Sequence, residues 1–495
     1  VSIATIAVAA AVAFAVSMVR WVRVAQREHY LPGSTSRFAL RWWTVKPINV
    51  AAIIVAVVGI VLTLWAPLWG LVPAAVCIAG PVGLGLRGRT SQLVWTDRAR
   101  RVAVVSVAIG AGVAAGSRAV IVIAVVPVVT PVIVDIALGI LAPIERALSR
   151  RFVEEATRRL KATDPTIVAI TGSFGKTTTK GYVGHLLRRT ADVVVSPASF
   201  NNRLGLARSI NEHVTSGTHV FVAEMGTYGP GEIRELCGWI TPTVSVITAI
   251  GPVHLERFGS LEAIAAAKSE IVDDAHTLVL NVDYPSLEDL GAREASTRTV
   301  IRCSSRDPQA DVYAAEEGSV YVHGTRVGTV NDPDVFSGNV ACAVGVALAL
   351  GVTPEPEDFD ALSRPPHRLQ AAATDAGVIV LDDTYNANPS GADGALDALV
   401  RHGTGRRVVV TPGMVELGRR QFEENERFAE RASRVANDIV IVGRTNRKAL
   451  REGASSGSAS IIVVDSRDEA VAWVRRTLQA GDVVVYENDL PDHYP

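Results

Sequence analysis

Cysteine is scarce in this sequence and follows no pattern. The four thiols, Cys77, Cys237, Cys303 and Cys342, lie far apart, with no CxxC pair and no metal-ligand spacing. That excludes a disulfide scaffold and a zinc module, and it fits buried thiols in a reducing compartment. Net charge is lacking too. A formal charge of -1, with no acidic or basic tail at either end, excludes a protein that holds nucleic acid by a broad basic field. In a chain that is 20% charged, residues 1–19 and 47–86 carry no charge at all. A length of 495 residues is too great for one packed core, and the apolar excess is gathered into roughly the first 145 positions, so two physical environments share the chain.

The first apolar run approaches the roughly 20 residues that a helix needs to cross the hydrocarbon layer. Arg20, Arg23 and Arg27 follow this run instead of preceding it, so it reads as a retained span and not as a signal peptide. Within 47–86, Trp65-Ala-Pro-Leu-Trp69-Gly70 supplies a turn with interfacial aromatic residues, the pattern of a helical hairpin. The stretch 102–141, interrupted only by Arg118 and Asp135, has room for two short or tilted spans. Arg20, Arg23, Arg27, Arg37, Arg41 and Lys46 fill one loop and Arg87, Arg89, Arg98, Arg100 and Arg101 another, while the hairpin tip has none. Basic loops stay cytoplasmic, which predicts about five spans, the amino terminus outside, and everything after Arg146 in the cytoplasm. Asp135 reads as a carboxylate at the cytoplasmic interface near Arg146 or Arg150 and is assigned no chemistry.

A β-branched run at 166–170 leads into Thr171-Gly-Ser-Phe-Gly-Lys-Thr-Thr-Thr179 and then a helical pattern through Leu187. Strand, loop and helix in that order make a phosphate cradle. Gly172 and Gly175 let the backbone approach phosphate oxygens, the helix terminus adds its dipole, Lys176 adds a charge, and the Thr177 hydroxyl is available to Mg2+. Ser173 and Thr178 complete the candidate ATP contacts. The general P-loop glycine is missing, because Ile170 stands in its place.

The shortened form, Thr-Gly-Ser-Xaa-Gly-Lys-Thr-Thr, resembles that of the Mur ligase family, closest to the type that adds D-alanyl-D-alanine. Further stretches are similar to that family in order: Ser199-Phe-Asn-Asn-Arg-Leu-Gly205, Phe221-Val-Ala-Glu-Met-Gly226, Thr248-Ala-Ile-Gly-Pro-Val-His-Leu-Glu256, Ala267-Lys-Ser-Glu-Ile271 and Val279-Leu-Asn-Val-Asp283. Taken alone, Glu224 is a strand-end acid, His254 a structural histidine, Lys268 a surface lysine and Asn281 a turn residue. The resemblance implies more. It makes Thr177, Glu224 and His254 ligands of Mg2+, Lys268 a lysine carbamylated by CO2, Asn281 the adenine contact, and Asn201 and Asn202 substrate contacts. With Lys176, Lys268 and His254 form the implied catalytic set.

In the carboxyl-terminal part, Asn339 in Ser337-Gly-Asn-Val-Ala-Cys-Ala343 matches a family asparagine that meets the nucleotide, although Gly338 and Cys342 depart from the pattern. Pro365-Pro-His-Arg-Leu369 resembles the turn that opens a mobile last domain, with Arg368 reaching the nucleotide phosphates on closure. From Asp382-Asp-Thr-Tyr-Asn-Ala-Asn-Pro389 the resemblance sends Asp382 to the ATP ribose and Tyr385, Asn386 and Asn388 to the amine site. Pro412-Gly-Met-Val-Glu-Leu-Gly418 is a further match, with Pro412 and Gly413 as departures. Where the D-alanyl-D-alanine-adding enzymes carry Lys-Gly-Ser-Arg, this chain has Tyr486-Glu-Asn-Asp-Leu490. Glu487 and Asp489 there favour an ammonium over an anionic acceptor, so a second substrate other than free D-alanyl-D-alanine is expected.

The expected architecture is multi-domain: amino-terminal transmembrane α-helices over 1–150, an α/β P-loop-type ATP-binding domain over 151–363, and an α/β Rossmann-like domain over 364–495. The resemblance covers roughly 165–495, and membrane spans stand where the family keeps its UDP-sugar domain. It implies a multi-pass membrane ligase with cytoplasmic catalytic domains, joining an amine (an amino acid or dipeptide) to the carboxylate of a lipid-linked or UDP-linked cell-wall precursor through an acyl phosphate, with ATP and Mg2+. Two other classes are weighed: a nucleotide-energised transporter, which needs polar residues through its spans, and a non-catalytic nucleotide-binding scaffold.

Overall fold

A computed structural model describes residues 2–88, 92–116, 119–197, 200–360, 362, 368–385, 387–490 and 494. Arg89, Arg118, Ser199, the Pro365-Pro-His367 segment and Asn386 lie outside this set. The chain divides into two compact units, Val1–Ser149 with Leu490–Pro495, and Arg150–Asp489. Of the residues after Asp489, the described Leu490 and Tyr494 group with the amino-terminal unit. Within that unit the Tyr494 ring meets Phe38 edge-on at 5.0 Å.

In the amino-terminal unit, the apolar sequence folds into helices, which satisfy their backbone hydrogen bonds within each segment. By length and composition, two helices among the described residues suffice to cross a membrane, Ile3–Arg27 and Asp97–Gly116, with a third if Ser34–Val45 and Pro47–Leu62 form one broken span. This is fewer than the five expected. Pro47 explains one difference: the residue before a proline is driven from helical geometry, Lys46 is extended at φ -99 and ψ 128, and the two helices meet at 108°. The uncharged 47–86 stretch is divided into helices of 16 and 9 residues, Pro47–Leu62 and Leu71–Ala79. At about 1.5 Å per residue both fall short of a roughly 30 Å hydrocarbon layer. Ile54, Val55, Val57 and Val58 stay exposed on the outside, while Arg20 is buried with three backbone carbonyls, those of Leu84 (3.0 Å), Cys77 (3.1 Å) and Ile78 (3.3 Å). The Asp135 carboxylate accepts from Thr35 N, Ser36 N and the Ser36 hydroxyl, capping the helix Ser34–Val45.

The second unit is built on two sheets. Strands β1 (Thr166–Thr171), β2 (Val193–Val195), β3 (Val220–Glu224), β4 (Val244–Ile247), β5 (Thr277–Asn281), β6 (Thr299–Ser304), β7 (Val312–Ala314), β8 (Ser319–Val322) and β9 (Thr325–Thr329) form the first. Among the described residues its order is β2-β3-β1-β4-β5-β6-β7-β8-β9, parallel as far as β7. Helices cover both faces, so β1 is apolar on both: Val168 and Ile170 pack with Tyr182, Leu186 and Val344, whereas Ile167 and Ala169 pack with Leu206, Ile210 and Phe221. The chain leaves β1 toward β3 on one side and places β4 on the other, which opens a crevice at the carboxyl ends of these strands.

The second sheet comprises β10 (Gln370–Ala373), β11 (Ile379–Asp383), β12 (Arg407–Thr411), β13 (Asp438–Val442), β14 (Ser460–Val464) and β15 (Val483–Glu487), in the order β10-β11-β15-β12-β13-β14 with only β10 antiparallel. Leu381, Val409 and Val485 bury against Leu396, Leu399 and Phe428 from the covering helices. Here too the last strand enters between earlier ones, and Asp383, Thr411 and Glu487 all stand at carboxyl ends.

Candidate active site

The loop after β1 is closely fitted to the end of β4. Ser173 N donates to Ala249 O at 2.8 Å, and the Ser173 hydroxyl donates to Gly251 O at 3.0 Å while accepting from Gly251 N. Ser173, expected at the nucleotide, thus spends its hydroxyl holding the loop in shape. Gly172 has φ 151, and a Cβ there would strike Thr248 Oγ1; at Gly175, φ 83, it would strike the Asn339 amide. Only glycine fits at these two points. The helix Lys176–Leu187 starts directly behind, and Lys176 Nζ donates to Gly172 O at 2.7 Å. Burial lowers the Lys176 pKa, Glu224 opposes the shift, and Arg368 adds to it, so Lys176, Glu224 and Arg368 share one electrostatic neighbourhood.

Glu224, at the end of β3, is 2% exposed and gathers three partners. Thr177 Oγ1 donates to it at 3.0 Å, Asn201 Nδ2 at 3.2 Å, and Lys180 Nζ lies 2.9 Å from its Oε2. Burial pushes the carboxyl pKa up, but Lys180, Lys176 and the hydrogen bonds from Lys180 and Asn201 outweigh it and hold Glu224 below its usual range, ionised. Sequence reading missed Lys180. Its signal was the three-residue spacing from Thr177 along one helical face. An ionised carboxylate beside a hydroxyl is the hard oxygen pair that Mg2+ prefers, so these residues fit that ion. Among the described residues no group of three or more His, Cys, Asp and Glu frames a metal. His254 is instead engaged through Nδ1 by Glu416.

Lys268, on the helix Leu261–Ser269 capped by Ser260, is buried and not a surface lysine. Burial, reinforced by Lys176, drives its pKa well below the usual range and favours the neutral amine.

Next to the loop lies a cavity of about 670 Å³ whose lining includes Gly175, Thr178, Asn339, Arg368, Asp383 and Asn388. Arg368 stacks over the Tyr385 ring at 4.2 Å. Three of the residues expected to contact ligand do not line this cavity. Asp383, not Asp382, lines the cavity, because successive side chains of β11 point to opposite faces; Asp382 accepts from Thr384 N (3.2 Å) and Oγ1 (2.6 Å). Asn281, expected at adenine, is 1% exposed and occupied within the protein, donating to Thr248 O at 3.0 Å and accepting from Asp283 N at 3.2 Å. Asn202 is a helix cap that accepts from Gly205 N at 3.0 Å, in contrast to its neighbour Asn201 on Glu224. Asn388 combines both roles, capping Pro389–His402 and lining the cavity. Sequence reading also missed Arg306, which lines this cavity and an adjoining hollow of about 380 Å³.

The acidic acceptor site is not formed as expected. Glu487 is fully buried, accepts from Thr411 Oγ1 at 2.6 Å, and has its pKa pushed up to about 8, mainly by burial, against the Thr411 bond and with a contribution from Asp383. Burial thus favours its protonated form. Asp489 pairs with Arg467. Neither offers the open negative charge that would select an ammonium.

Residues 170–345 match the family description Mur ligase middle domain, and 367–486 match Mur ligase, glutamate ligase domain. The UDP-N-acetylmuramoyl-tripeptide--D-alanyl-D-alanine ligase of Mycobacterium tuberculosis is 33% identical over 360 residues, 65% of this chain and 69% of that protein. The Bacillus subtilis protein of the same name is 32% identical over 262 residues, 51% of this chain and 57% of its own length. Among solved structures, MurF ligase from Thermotoga maritima in complex with ADP superposes with a TM-score of 0.59 at 27% identity, over 69% of this chain and 80% of that one.

Proposed function

We propose, from the premise that this chain belongs to the Mur ligase family and is an ATP-dependent ligase, that it joins a carboxylate to an amine through an acyl phosphate, on a cell-wall or envelope precursor at the membrane. The observation that supports this reading is a cavity large enough for a nucleotide, lined by Gly175 and Thr178 of the phosphate loop and its helix from one half of the ligase unit and by Arg368 and Asp383 from the other. We assign 1–150 to membrane attachment, 151–363 to ATP binding and 364–495 to the closing domain.

The carboxylate of the first substrate attacks the γ-phosphate, and ADP leaves. The resulting acyl phosphate then yields to the amine, which takes the acyl group and releases phosphate. Lys176 and the amino terminus of its helix stabilise charge on the transferring group, and Arg368 approaches from the other domain. Thr177, Glu224 and, in the manner of the family, His254 would hold Mg2+, which when bound neutralises phosphate charge. Lys268, with its neutral amine, suits carbamylation by CO2, since only an unprotonated amine attacks CO2. Closure over the cavity excludes water from the acyl phosphate.

Two amino-terminal helices long and apolar enough to cross a membrane support a membrane-attached ligase acting on a lipid-linked carboxylate substrate. The second substrate differs from free D-alanyl-D-alanine for a revised reason: Glu487 is buried, with its pKa raised, so the contrast with the family lies in the missing Lys and Arg more than in an added negative charge.

Purified full-length protein should bind Mg-ATP, and cells lacking it should accumulate one lipid-linked wall intermediate by mass spectrometry. No Mg-ATP binding under any condition would end this reading; unchanged precursor pools would end the wall-precursor assignment. Lys176→Ala separates it from a non-catalytic scaffold, which would keep its cellular role.

A further inference from the structure

One turn of the carboxyl-terminal half reaches the central half beside the nucleotide loop. Glu416, in Met414-Val-Glu-Leu-Gly418 after β12, engages the His254 ring through Nδ1, and Arg257 Nη2 lies 3.7 Å from its other oxygen. The backbone takes part as well: Glu256 N donates to Glu416 O at 3.1 Å. A Cβ on Gly418 would lie 3.3 Å from the Glu256 backbone, so that position must stay small. Tyr228 closes the other side, edge-on to His254 at 4.9 Å and under the Arg257 guanidinium at 4.7 Å.

Two features set this contact apart from ordinary domain packing. His254 and Glu416 both have positive φ, 57 and 64, a conformation that residues other than glycine hold only where the surroundings impose it. Yet the side chains remain 24% and 23% exposed, so the contact is polar and within reach of water. A constrained but wettable pair, made by one domain on a side chain of the other, has the properties of a contact that forms on docking and breaks on opening.

We infer that Glu416 is a latch, a positioning residue that docks the carboxyl-terminal domain and fixes His254, so that His254 holds its working orientation only while the two domains are closed. The inference rests on the proposed function only in assigning His254 to the nucleotide site.

The test uses full-length protein with spin labels on cysteines introduced by E262C and K448C, both at exposed positions, one in each domain. The native cysteines are buried and will not compete for label. Distances are measured without ligand and then with Mg-ADP. The parent should show one narrow population; Glu416→Ala should broaden and lengthen it and speed ADP release roughly tenfold. Glu416→Gln, which keeps the size and a hydrogen bond, should fall between, which a simple loss of folding would not produce. His254→Ala should match Glu416→Ala, and the double variant should be no worse than either single one. A parent-like distance distribution in Glu416→Ala, or independent, additive effects of the two substitutions, would overturn the latch. Failure of the parent to bind Mg-ADP would instead strike the ligase reading, while the ligand-free distances still decide the latch.

Discussion

Polar side chains are few in the amino-terminal unit and plentiful in the ligase unit, and they are used differently. Arg20 and Asp135 are spent on backbone: one gathers the carbonyls near the end of Leu71–Ala79, the other caps Ser34–Val45. Each completes a helix end whose backbone groups lack intrahelical partners, and so ties one helix to another. In the ligase unit, Lys176, Lys268 and Glu224 share one electrostatic neighbourhood with their charges unequally compensated: burial lowers the pKa of both lysines, whereas nearby cations hold Glu224 ionised against burial. One region uses polarity to finish a fold; the other uses it to prepare a reaction.

The sharpest test of this contrast is Lys176→Ala. It should cut ATP-dependent amide formation about a thousandfold or more, with little change in melting temperature, because the lysine serves charge on the transferring phosphoryl group and not the core. A comparable loss of stability would break the comparison. Next in size is a pH effect from Glu487. Its carboxyl titrates at about 8 when folded against 4.5 for an unperturbed glutamate. Its contribution to stability is therefore full below pH 4.5 and is lost as pH rises through 8, since the unfolded chain gives up a proton that the folded chain keeps. Denaturant titrations between pH 5 and 8 should show the carboxyl-terminal domain weakening by a few kcal/mol, and Glu487→Gln should flatten that slope.

Arg20→Met should cost about 3 kcal/mol by leaving buried carbonyls without donors, read as a lower melting temperature in detergent, while Mg-ATP affinity stays unchanged. A matching loss of ATP affinity would show that the two units are not energetically separate. The smallest effect separates two adjacent asparagines. Asn202→Ala should remove a helix cap worth about 1 kcal/mol without altering activity at saturating substrate, whereas Asn201→Ala should lower turnover with little loss of stability. Equal behaviour of the pair would refute the division drawn between them.

Much of the fold was legible, because it follows from local rules. The run at 166–170, the glycines at 172 and 175 and the helix behind them announce strand, loop and helix, and Ser260 announces the start of the Lys268 helix. Helix lengths were less legible than apolar character: Pro47 and the turn before Leu71 divide the charge-free 47–86 stretch into helices of 16 and 9 residues. In the site, residue types were found more reliably than their tasks. Asn281 and Asn202 look like ligand contacts in sequence, yet each has its amide occupied by backbone. The sequence marks Asp382 and Asp383 alike, and the alternation of a strand decides which one faces the cavity.

The amino-acid sequence by itself determined the partition into an apolar unit and an α/β unit, the phosphate-binding loop, and the inventory of reactive groups. These depend on composition, periodicity and short-range geometry, which residues carry with them wherever they lie. Only the tertiary structure decided that Lys180 is the partner of Glu224, that Glu416 meets His254 across 162 positions, and that burial raises the Glu487 pKa to about 8. Pairing and protonation depend on which groups share a volume from which water has been removed, and that volume exists only once distant strand ends have been brought together.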